Sequence, residues 1–199
     1  MAELVHVIDD DPGLRKSLSF LLTVNGFGVR VYPSAIAFLE AMPVPDGCIL
    51  TDMRMPELTG LELVRRLKGE GCELPIIAMT GHGDVELAVA AMKAGVVDFI
   101  AKPFSDAALL QSLADARAAR TAPLSADHAR IAAMERLEGL SPRERDVLIG
   151  ITDGKLNKTI AYELEISPRT VEIYRANVMT KTGSRNLAEL MRLALAAGL

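Results

Sequence analysis

The chain has few of the residues that mark secreted, membrane-spanning or disulfide-stabilised proteins. Its 199 residues include two cysteines, three tyrosines, five phenylalanines and no tryptophan. Cys48 and Cys72 form no CxxC pair, so we expect buried or incidental thiols. No apolar run reaches the ~20 residues of a membrane-spanning helix, and the first strand begins near Leu4, which leaves no room for a signal peptide. These absences predict a cytoplasmic protein without a membrane partner.

Charge is unevenly distributed along the chain. Residues 1–122 contain 11 Lys and Arg against 16 Asp and Glu, whereas residues 123–199 contain 11 against 10. Residues 155–192 contain seven basic and four acidic side chains. An acidic half followed by a basic segment indicates two domains with different partners, although so small an excess is weak support for nucleic-acid binding on its own.

Apolar runs alternate with helical patterns over the first 120 residues. The runs predict buried strands at residues 4–8, within 26–33, and at 48–51, 75–79 and 98–101. The helical patterns fall near residues 12–25, 34–41, 61–68, 84–94 and 105–120. This alternation predicts an α/β domain, a five-stranded doubly wound parallel sheet covered by helices on both faces. Ligands of such a sheet bind beyond the carboxyl ends of its strands.

Polar side chains follow four of the predicted strands. The run Asp9-Asp10-Asp11 follows the first, and Asp52, Thr80 and Lys102 follow the third, fourth and fifth. Any one of them alone would be a helix cap, a turn hydroxyl or a solvated charge, but together they predict a site. Gathered carboxylates need a cation, and hard oxygen ligands suit Mg²⁺. An aspartate beside Mg²⁺ can attack a phosphoryl group and form an acyl phosphate.

Four motifs carry a family resemblance, namely VIDDD, TDMRMPELTG, MTGHGD and DFIAKPF. They resemble the receiver domain of two-component response regulators, and the whole chain resembles regulators of the FixJ type. The resemblance implies a flavodoxin-like receiver over residues 1–122. Haloacid-dehalogenase-type phosphatases, which use a DxD pattern like that of residues 9–11, are the alternative, but this reading leaves Asp52 and Lys102 unexplained.

The resemblance assigns a role to each pocket residue. Asp52 is the phospho-acceptor, and a sensor histidine kinase is its donor. Thr80 and Lys102 contact the phosphoryl group, and the Lys102–Pro103 peptide bond is expected to be cis. The Mg²⁺ ligands are Asp9, Asp10, Asp52 and the main-chain carbonyl of Arg54. The protein is thus a phospho-acceptor that loses its own phosphoryl group, not a conventional enzyme.

Two further features of the pocket follow. Phe99 holds the family's switch position together with Thr80, so phosphorylation is expected to change the face of helix four and strand five, residues 84–101, and to promote a homodimer there. Asp11 precedes Pro12, and Pro is favoured at the first position of a helix behind an Asp cap. We therefore expect Asp11 to cap the first helix; a metal contact through water is the alternative.

The second half of the chain reads as a linker and an all-α domain. Residues 123–139 predict a joint at Pro123 followed by a partly helical linker. Over residues 140–199, Ser141-Pro142 with Glu144, and Ser167-Pro168, are start signals of helices. Four helices are expected, near residues 142–153, 158–164, 168–182 and 187–196. The tight turn between the second and third predicts a helix-turn-helix that binds DNA in the major groove.

The third of these helices has one apolar and one polar face. Val171, Tyr174 and Val178 form the apolar stripe. On the opposite face, candidate base contacts are Arg169, Glu172, Ile173, Ala176 and Thr180. Side chains that suit phosphate contacts flank this face or begin the preceding helix; they are Lys158, Thr170, Arg175, Asn177 and Lys181. A solvated polar face is the alternative.

The segment from Leu140 onward resembles the LuxR/FixJ/NarL type of DNA-binding domain, which is a separate four-helix domain. Tyr174 departs from the family, in which a histidine is frequent at this position. The combined resemblance implies a transcriptional regulator whose partners are a histidine kinase, promoter DNA and RNA polymerase. A regulator that binds DNA without phosphorylation is the second reading, and the complete set of pocket residues argues against it.

Overall fold

The computed structural model describes residues 3–44, 46–81, 84–121 and 126–199. Over these residues the chain forms five strands, β1 (Leu4–Ile8), β2 (Gly28–Tyr32), β3 (Cys48–Asp52), β4 (Ile76–Thr80) and β5 (Asp98–Ala101). The helices in the first part are α1 (Pro12–Val24), α2 (Ala35–Glu40), α3 (Gly60–Gly69), α4 (Val85–Lys93) and α5 (Asp106–Thr121). The later helices are α6 (Ala126–Glu138), α7 (Pro142–Thr152), α8 (Asn157–Glu163), α9 (Pro168–Thr182) and α10 (Leu187–Ala196).

The strands form one parallel sheet in the order β2-β1-β3-β4-β5. This is the flavodoxin-like doubly wound order, so the predicted fold class is confirmed. Asp52 pairs with Met79 and Thr80 pairs with Ala101 in the sheet register. Because all strands run in the same direction, their carboxyl ends meet at one edge, where the polar residues that follow them gather.

Local signals explain where the helices of the sheet domain begin. The Asp11 carboxylate accepts hydrogen bonds from the backbone N–H groups of Gly13 and Leu14, and Pro12 stands at the first helical position of α1. The predicted Asp11 cap is therefore present. Ser34 caps α2 as expected, and Thr59 forms a capping box with Glu62 at the start of α3.

The core of this domain lies on both faces of the sheet. On one face Val5, Val7, Leu50 and Ile77 pack in a cluster with apolar side chains of α1 and α5. Alternate residues of the same strands point to the other face, where residues such as Ile49 are fully buried too. The strands of a parallel sheet are apolar on both faces, so helices must cover both.

The C-terminal helices pack around Val147, Leu148, Val171, Val178 and Met191, which are fully buried. Both predicted start signals are present. Ser141 and Glu144 form a capping box at the start of α7, and Ser167 caps α9. Gly183 ends α9 in the left-handed conformation with a φ of 66°, as is common for glycine after a helix.

The chain divides into two compact units, Met1–Asp84 with Ala94–Ala122 and Val85–Lys93 with Pro123–Leu199. The predicted boundaries after residues 122 and 139 stay predictions, and the joint predicted at Pro123 lies outside the described residues. Within the predicted linker, residues 126–138 form the helix α6. Within the described ranges, no helix has the length and apolar character needed to cross a membrane.

Candidate functional site

Three charged side chains meet at the carboxyl edge of the sheet. The Nζ atom of Lys102 donates to Oδ2 of Asp9 at 2.8 Å and to Oδ1 of Asp52 at 2.7 Å. Asp9 is 1% exposed and Asp52 is 7% exposed. These residues are 43 to 93 positions apart in sequence. The fold brings them together because Asp9 follows β1, Asp52 ends β3 and Lys102 follows β5. The convergence that the strand ends predicted is therefore present.

Burial and charge act against each other in this pocket. Burial disfavours the ionised carboxylate and raises the pKa of Asp52, although its hydrogen bond to Lys102 offsets part of the effect. Burial likewise disfavours the charged form of Lys102, but the hydrogen bonds to Asp52 and Asp9 outweigh it and raise the pKa of that lysine. The pocket thus holds a destabilised carboxylate directly beside a cation.

Backbone groups orient the two buried carboxylates. The second oxygen of Asp9 accepts a hydrogen bond from the Asp11 N–H at 2.8 Å, and the second oxygen of Asp52 accepts one from the Arg54 N–H at 3.0 Å. Gly60 starts α3 directly against this loop. A Cβ atom at Gly60 would overlap the Asp52 carbonyl oxygen and lie 2.8 Å from the Met53 Cα. The close approach explains the glycine at the end of TDMRMPELTG.

The three consecutive aspartates have different environments. Asp9 is buried and bound to Lys102, whereas Asp11 is exposed and caps α1. Asp10 is exposed between them. In the part of the chain that the structure describes, no three His, Cys, Asp or Glu side chains come together as a metal site. The donors at this edge are nevertheless carboxylate and carbonyl oxygens, and two buried carboxylates beside a single lysine leave a local negative charge. Both properties fit Mg²⁺.

The remaining predicted pocket residues lie on the neighbouring strands. Thr80 ends β4 and is 2% exposed, and its carbonyl accepts a hydrogen bond from the Lys102 N–H at 2.7 Å. Phe99 lies in β5 opposite Ala78 and is half-buried. The Lys102–Pro103 bond is cis, as expected. His82 and Gly83 of the MTGHGD motif lie outside the described residues.

One ion pair at this edge was not predicted from the sequence. The Arg54 guanidinium donates from Nε to Oδ2 of Asp84 at 2.9 Å and from Nη2 to Oδ1 at 2.8 Å. It joins the loop after β3 to the residue that precedes α4. The two residues are 30 positions apart, and no local pattern indicates that they meet.

The exposed face of α9 matches the predicted base-contact face. Val171 and Val178 are fully buried, and Tyr174 is half-buried. Ile173 is 55% exposed despite its apolar side chain. Side chains of this face line a shared surface depression, namely Arg169, Glu172, Ile173 and Ala176. An exposed helix face with an exposed isoleucine suits contact with base edges and thymine methyl groups.

Three of the predicted phosphate contacts already have protein partners. Arg175 donates to Oδ1 of Asn157 at 2.8 Å, and burial lowers the pKa of its guanidinium. Lys181 donates to Oε2 of Glu144 at 2.6 Å. Lys158 and Asn177 are exposed, and the Thr170 hydroxyl is bonded to that of Ser167 at 2.8 Å. Their roles as DNA contacts stay predictions.

Comparison with known proteins agrees with these two regions. Residues 5–114 match the family "response regulator receiver domain", and residues 138–194 match "bacterial regulatory proteins, luxR family". The transcriptional regulatory protein FixJ of Azorhizobium caulinodans is 52% identical over 195 residues, which cover 98% of this chain and 92% of that protein. FixJ of Rhizobium meliloti is 49% identical over 199 residues, covering 98% of this chain and 96% of its own.

Solved structures give the same result. Full-length FixJ from B. japonicum matches with a TM-score of 0.58 and 49% identity, over 98% of this chain and 97% of that one. FixJ-N matches with a TM-score of 0.57 and 46% identity, over 62% of this chain and 99% of that one. The chain therefore belongs to the response regulators that join a receiver domain to a LuxR-family DNA-binding domain.

Proposed function

We propose that a sensor histidine kinase phosphorylates Asp52 and that the phosphorylated chain controls transcription from promoter DNA. The observation that carries the proposal is the position of Lys102 Nζ between Asp52 and Asp9, at 2.7 and 2.8 Å. A buried carboxylate held beside one cation at the edge of a parallel sheet suits an acceptor of a phosphoryl group.

The chain's own residues account for the transfer. An Asp52 oxygen attacks the phosphorus atom of a phosphohistidine, the bond between nitrogen and phosphorus breaks, and an acyl phosphate forms on the carboxylate. Lys102 pairs with the incoming phosphoryl oxygens, and Thr80 hydrogen-bonds to them from the adjacent strand end. Attack of water on the same phosphorus breaks its bond to the carboxylate oxygen and releases inorganic phosphate. The aspartate is restored, so the chain resets itself without being a conventional enzyme.

Mg²⁺ is the proposed cofactor, held by Asp9, Asp10, Asp52 and the main-chain carbonyl of Arg54. When bound, it offsets the negative charge that the phosphoryl group brings to the acidic pocket. Asp9 and Asp52 lie together, and Asp10 is adjacent in sequence and exposed. The chemistry of these donors supports the assignment.

Phosphorylation is proposed to act through Thr80 and Phe99 on the face formed by residues 84–101, which then dimerises. The dimer binds a two-fold promoter site through the exposed face of α9 and acts on RNA polymerase in the cytoplasm. The exposure of Arg169, Ile173 and Ala176 supports this assignment of the reading face.

The test is labelling by acetyl phosphate with Mg²⁺. Asp52→Asn should abolish the label, whereas the control Asp46→Asn, an exposed aspartate before the other end of β3, should label like the wild type. Stoichiometric labelling of Asp52→Asn contradicts the acceptor assignment. Equal affinity of the labelled and unlabelled wild type for DNA would contradict the regulatory part alone.

A further inference from the structure

The linker helix α6 packs against α9 and α10. Ala133 and Leu137 of this helix are 3% and 2% exposed. The region that matches the LuxR family begins at residue 138, so nearly all of α6 precedes it. The helix is nevertheless built into the same packed body as the helix that faces DNA.

Arg136 joins α6 to the end of α9 by hydrogen bonds. Its Nε donates to the carbonyl oxygen of Thr182 at 2.8 Å, and Nη2 donates to the same oxygen. Nη2 also lies 3.7 Å from a carboxylate oxygen of Glu189 on α10. Thr182 is the last residue of α9, and the last carbonyls of a helix have no intrahelical partner and carry partial negative charge. The Arg136 guanidinium supplies both a hydrogen-bond donor for this carbonyl and a positive charge beside it.

The end of α9 that Arg136 contacts is itself well ordered by hydrogen bonds. Thr182 is 2% exposed, and its hydroxyl donates to the Val178 carbonyl at 2.8 Å. The Gly183 and Ser184 N–H groups donate to the Thr180 and Met179 carbonyls. A displacement at Thr182 therefore moves the last turn of α9 as a whole.

The same end of α6 is also attached to α7. Nη2 of Arg145 in α7 donates to the Leu137 carbonyl at 3.1 Å, and α7 packs against α9. Two arginines thus connect α6 to its neighbours: Arg136 of α6 donates to α9, and Arg145 of α7 donates to α6. Both donors are charged guanidinium groups, and such hydrogen bonds fix the geometry of a contact. Apolar packing alone does not fix it.

We propose that Arg136 is a positioning residue for DNA recognition, which fixes the C-terminal end of α9 against α6 and so sets how the face of Arg169, Ile173 and Ala176 meets base edges. The proposal rests on the proposed sequence-specific DNA binding. Base contacts need closely defined geometry, whereas phosphate contacts orient the protein without reading sequence. Loss of Arg136 should therefore reduce discrimination between sequences more than it reduces general affinity.

The first test uses the full chain without DNA. Arg136→Gln should speed amide exchange at Gly183 and Ser184 roughly tenfold and shift amide resonances along α9 as far as Ile173, because a charge-assisted hydrogen bond at the helix end is lost. Arg130→Gln, an exposed arginine on the same helix, removes the same charge and should leave α9 unchanged. Equal effects of the two variants would overturn the proposal.

The second test measures discrimination with a duplex selected by the wild type from a random pool and an unselected duplex of equal length. Arg136→Gln should lower the affinity ratio roughly tenfold, with general affinity and its salt dependence unchanged. Arg136→Lys keeps the charge but not the planar fork, so its ratio should lie between. Arg130→Gln should match the wild type.

Two outcomes of the second test would overturn the proposal. One is an unchanged ratio in Arg136→Gln; the other is an equal loss on both duplexes with a salt slope smaller by about 0.9, which would make Arg136 a phosphate contact. If the wild type enriches no duplex, sequence-specific binding itself fails, and the amide measurements still decide whether Arg136 positions α9.

Discussion

Lys181 and Glu144 form an ion pair across the C-terminal helices, with Nζ of Lys181 2.6 Å from Oε2 of Glu144. The glutamate also accepts a hydrogen bond from the Ser141 N–H in the capping box of α7. One carboxylate therefore satisfies the start of α7 and holds the last turn of α9. Lys181 is predicted from the sequence as a phosphate contact, and in the structure it is bound to Glu144 inside the domain.

Stability of the C-terminal helices should depend on the charge of Glu144 in acid. The hydrogen bond from Lys181, followed by that from Ser141, lowers the pKa of Glu144 from 4.5 to about 2. A lowered pKa stabilises the folded state above pH 4.5, and the stabilisation is lost as the pH falls from 4.5 towards 2. Urea unfolding of the wild type and Glu144→Gln at several pH values measures this.

The stability difference between those two proteins should be constant above about pH 5.5 and should shrink below pH 4.5, since linkage acts only where the bound protons differ between the states. Carboxylates common to both proteins titrate in both and cancel. A difference that stays constant down to pH 2.5 would mean that the ion pair contributes nothing to stability.

The local features of this chain could be read from its sequence, but its long-range pairs could not. Apolar runs located β1 to β5, and the pairs Asp11-Pro12 and Ser141-Pro142 located helix starts, because each signal lies within a few residues. The pairs Arg54–Asp84 and Lys181–Glu144 join residues 30 and 37 positions apart. No periodicity encodes which exposed charges meet after folding.

The pocket could be predicted although it is also long-range, because the parallel sheet supplies the missing geometry. Asp9, Asp52 and Lys102 each lie at or directly after the end of a strand, and strand direction alone brings them to one edge. The same reasoning could not place α6. Its pattern predicted a helix, but packing on α9 depends on Arg136 and Thr182, which are distant in sequence.

The protein should be more stable with glycine in place of Glu165, which lies in the turn between α8 and α9. Its φ is 55°, a left-handed conformation that costs a residue with a Cβ atom roughly 1–2 kcal/mol. Part of this gain is lost because glycine is freer in the unfolded chain, so Glu165→Gly should raise the free energy of unfolding by about 0.5–1 kcal/mol.

Thermal and urea unfolding measure the effect, and Glu172→Gly is the matched control. Glu172 lies in the interior of α9, where glycine should destabilise by about 1 kcal/mol. Opposite signs for the two substitutions would assign the gain at Glu165 to backbone conformation. A loss at both positions would contradict the predicted relief of strain.

Gly60 should tolerate no side chain. A Cβ atom there would overlap the Asp52 carbonyl oxygen, so Gly60→Ala should displace the loop that carries the acceptor and cost roughly 1–3 kcal/mol of stability. Labelling by acetyl phosphate should fall as well. Gly69→Ala at the other end of α3 meets nothing within 4 Å and should stabilise by about 0.5–1 kcal/mol. Normal stability and labelling of Gly60→Ala would refute the predicted clash.

Asp10 and Asp11 are adjacent and both exposed, yet their substitutions should affect different properties. One should lower stability and the other should weaken Mg²⁺ binding. Asp11→Ala removes the cap of α1 and should cost about 1 kcal/mol of stability, while the Asp11 N–H that orients Asp9 remains. Asp10→Ala removes a like charge beside Asp9 and should leave stability unchanged or slightly raised. It should instead increase the Mg²⁺ concentration for half-maximal labelling by roughly tenfold, because a proposed oxygen ligand is lost.

Urea unfolding and labelling in a Mg²⁺ titration separate the two effects. Equal Mg²⁺ requirements in the two variants would mean that the run Asp9-Asp10-Asp11 does not divide into metal ligands and a helix cap, since each aspartate would then contribute alike to one acidic surface.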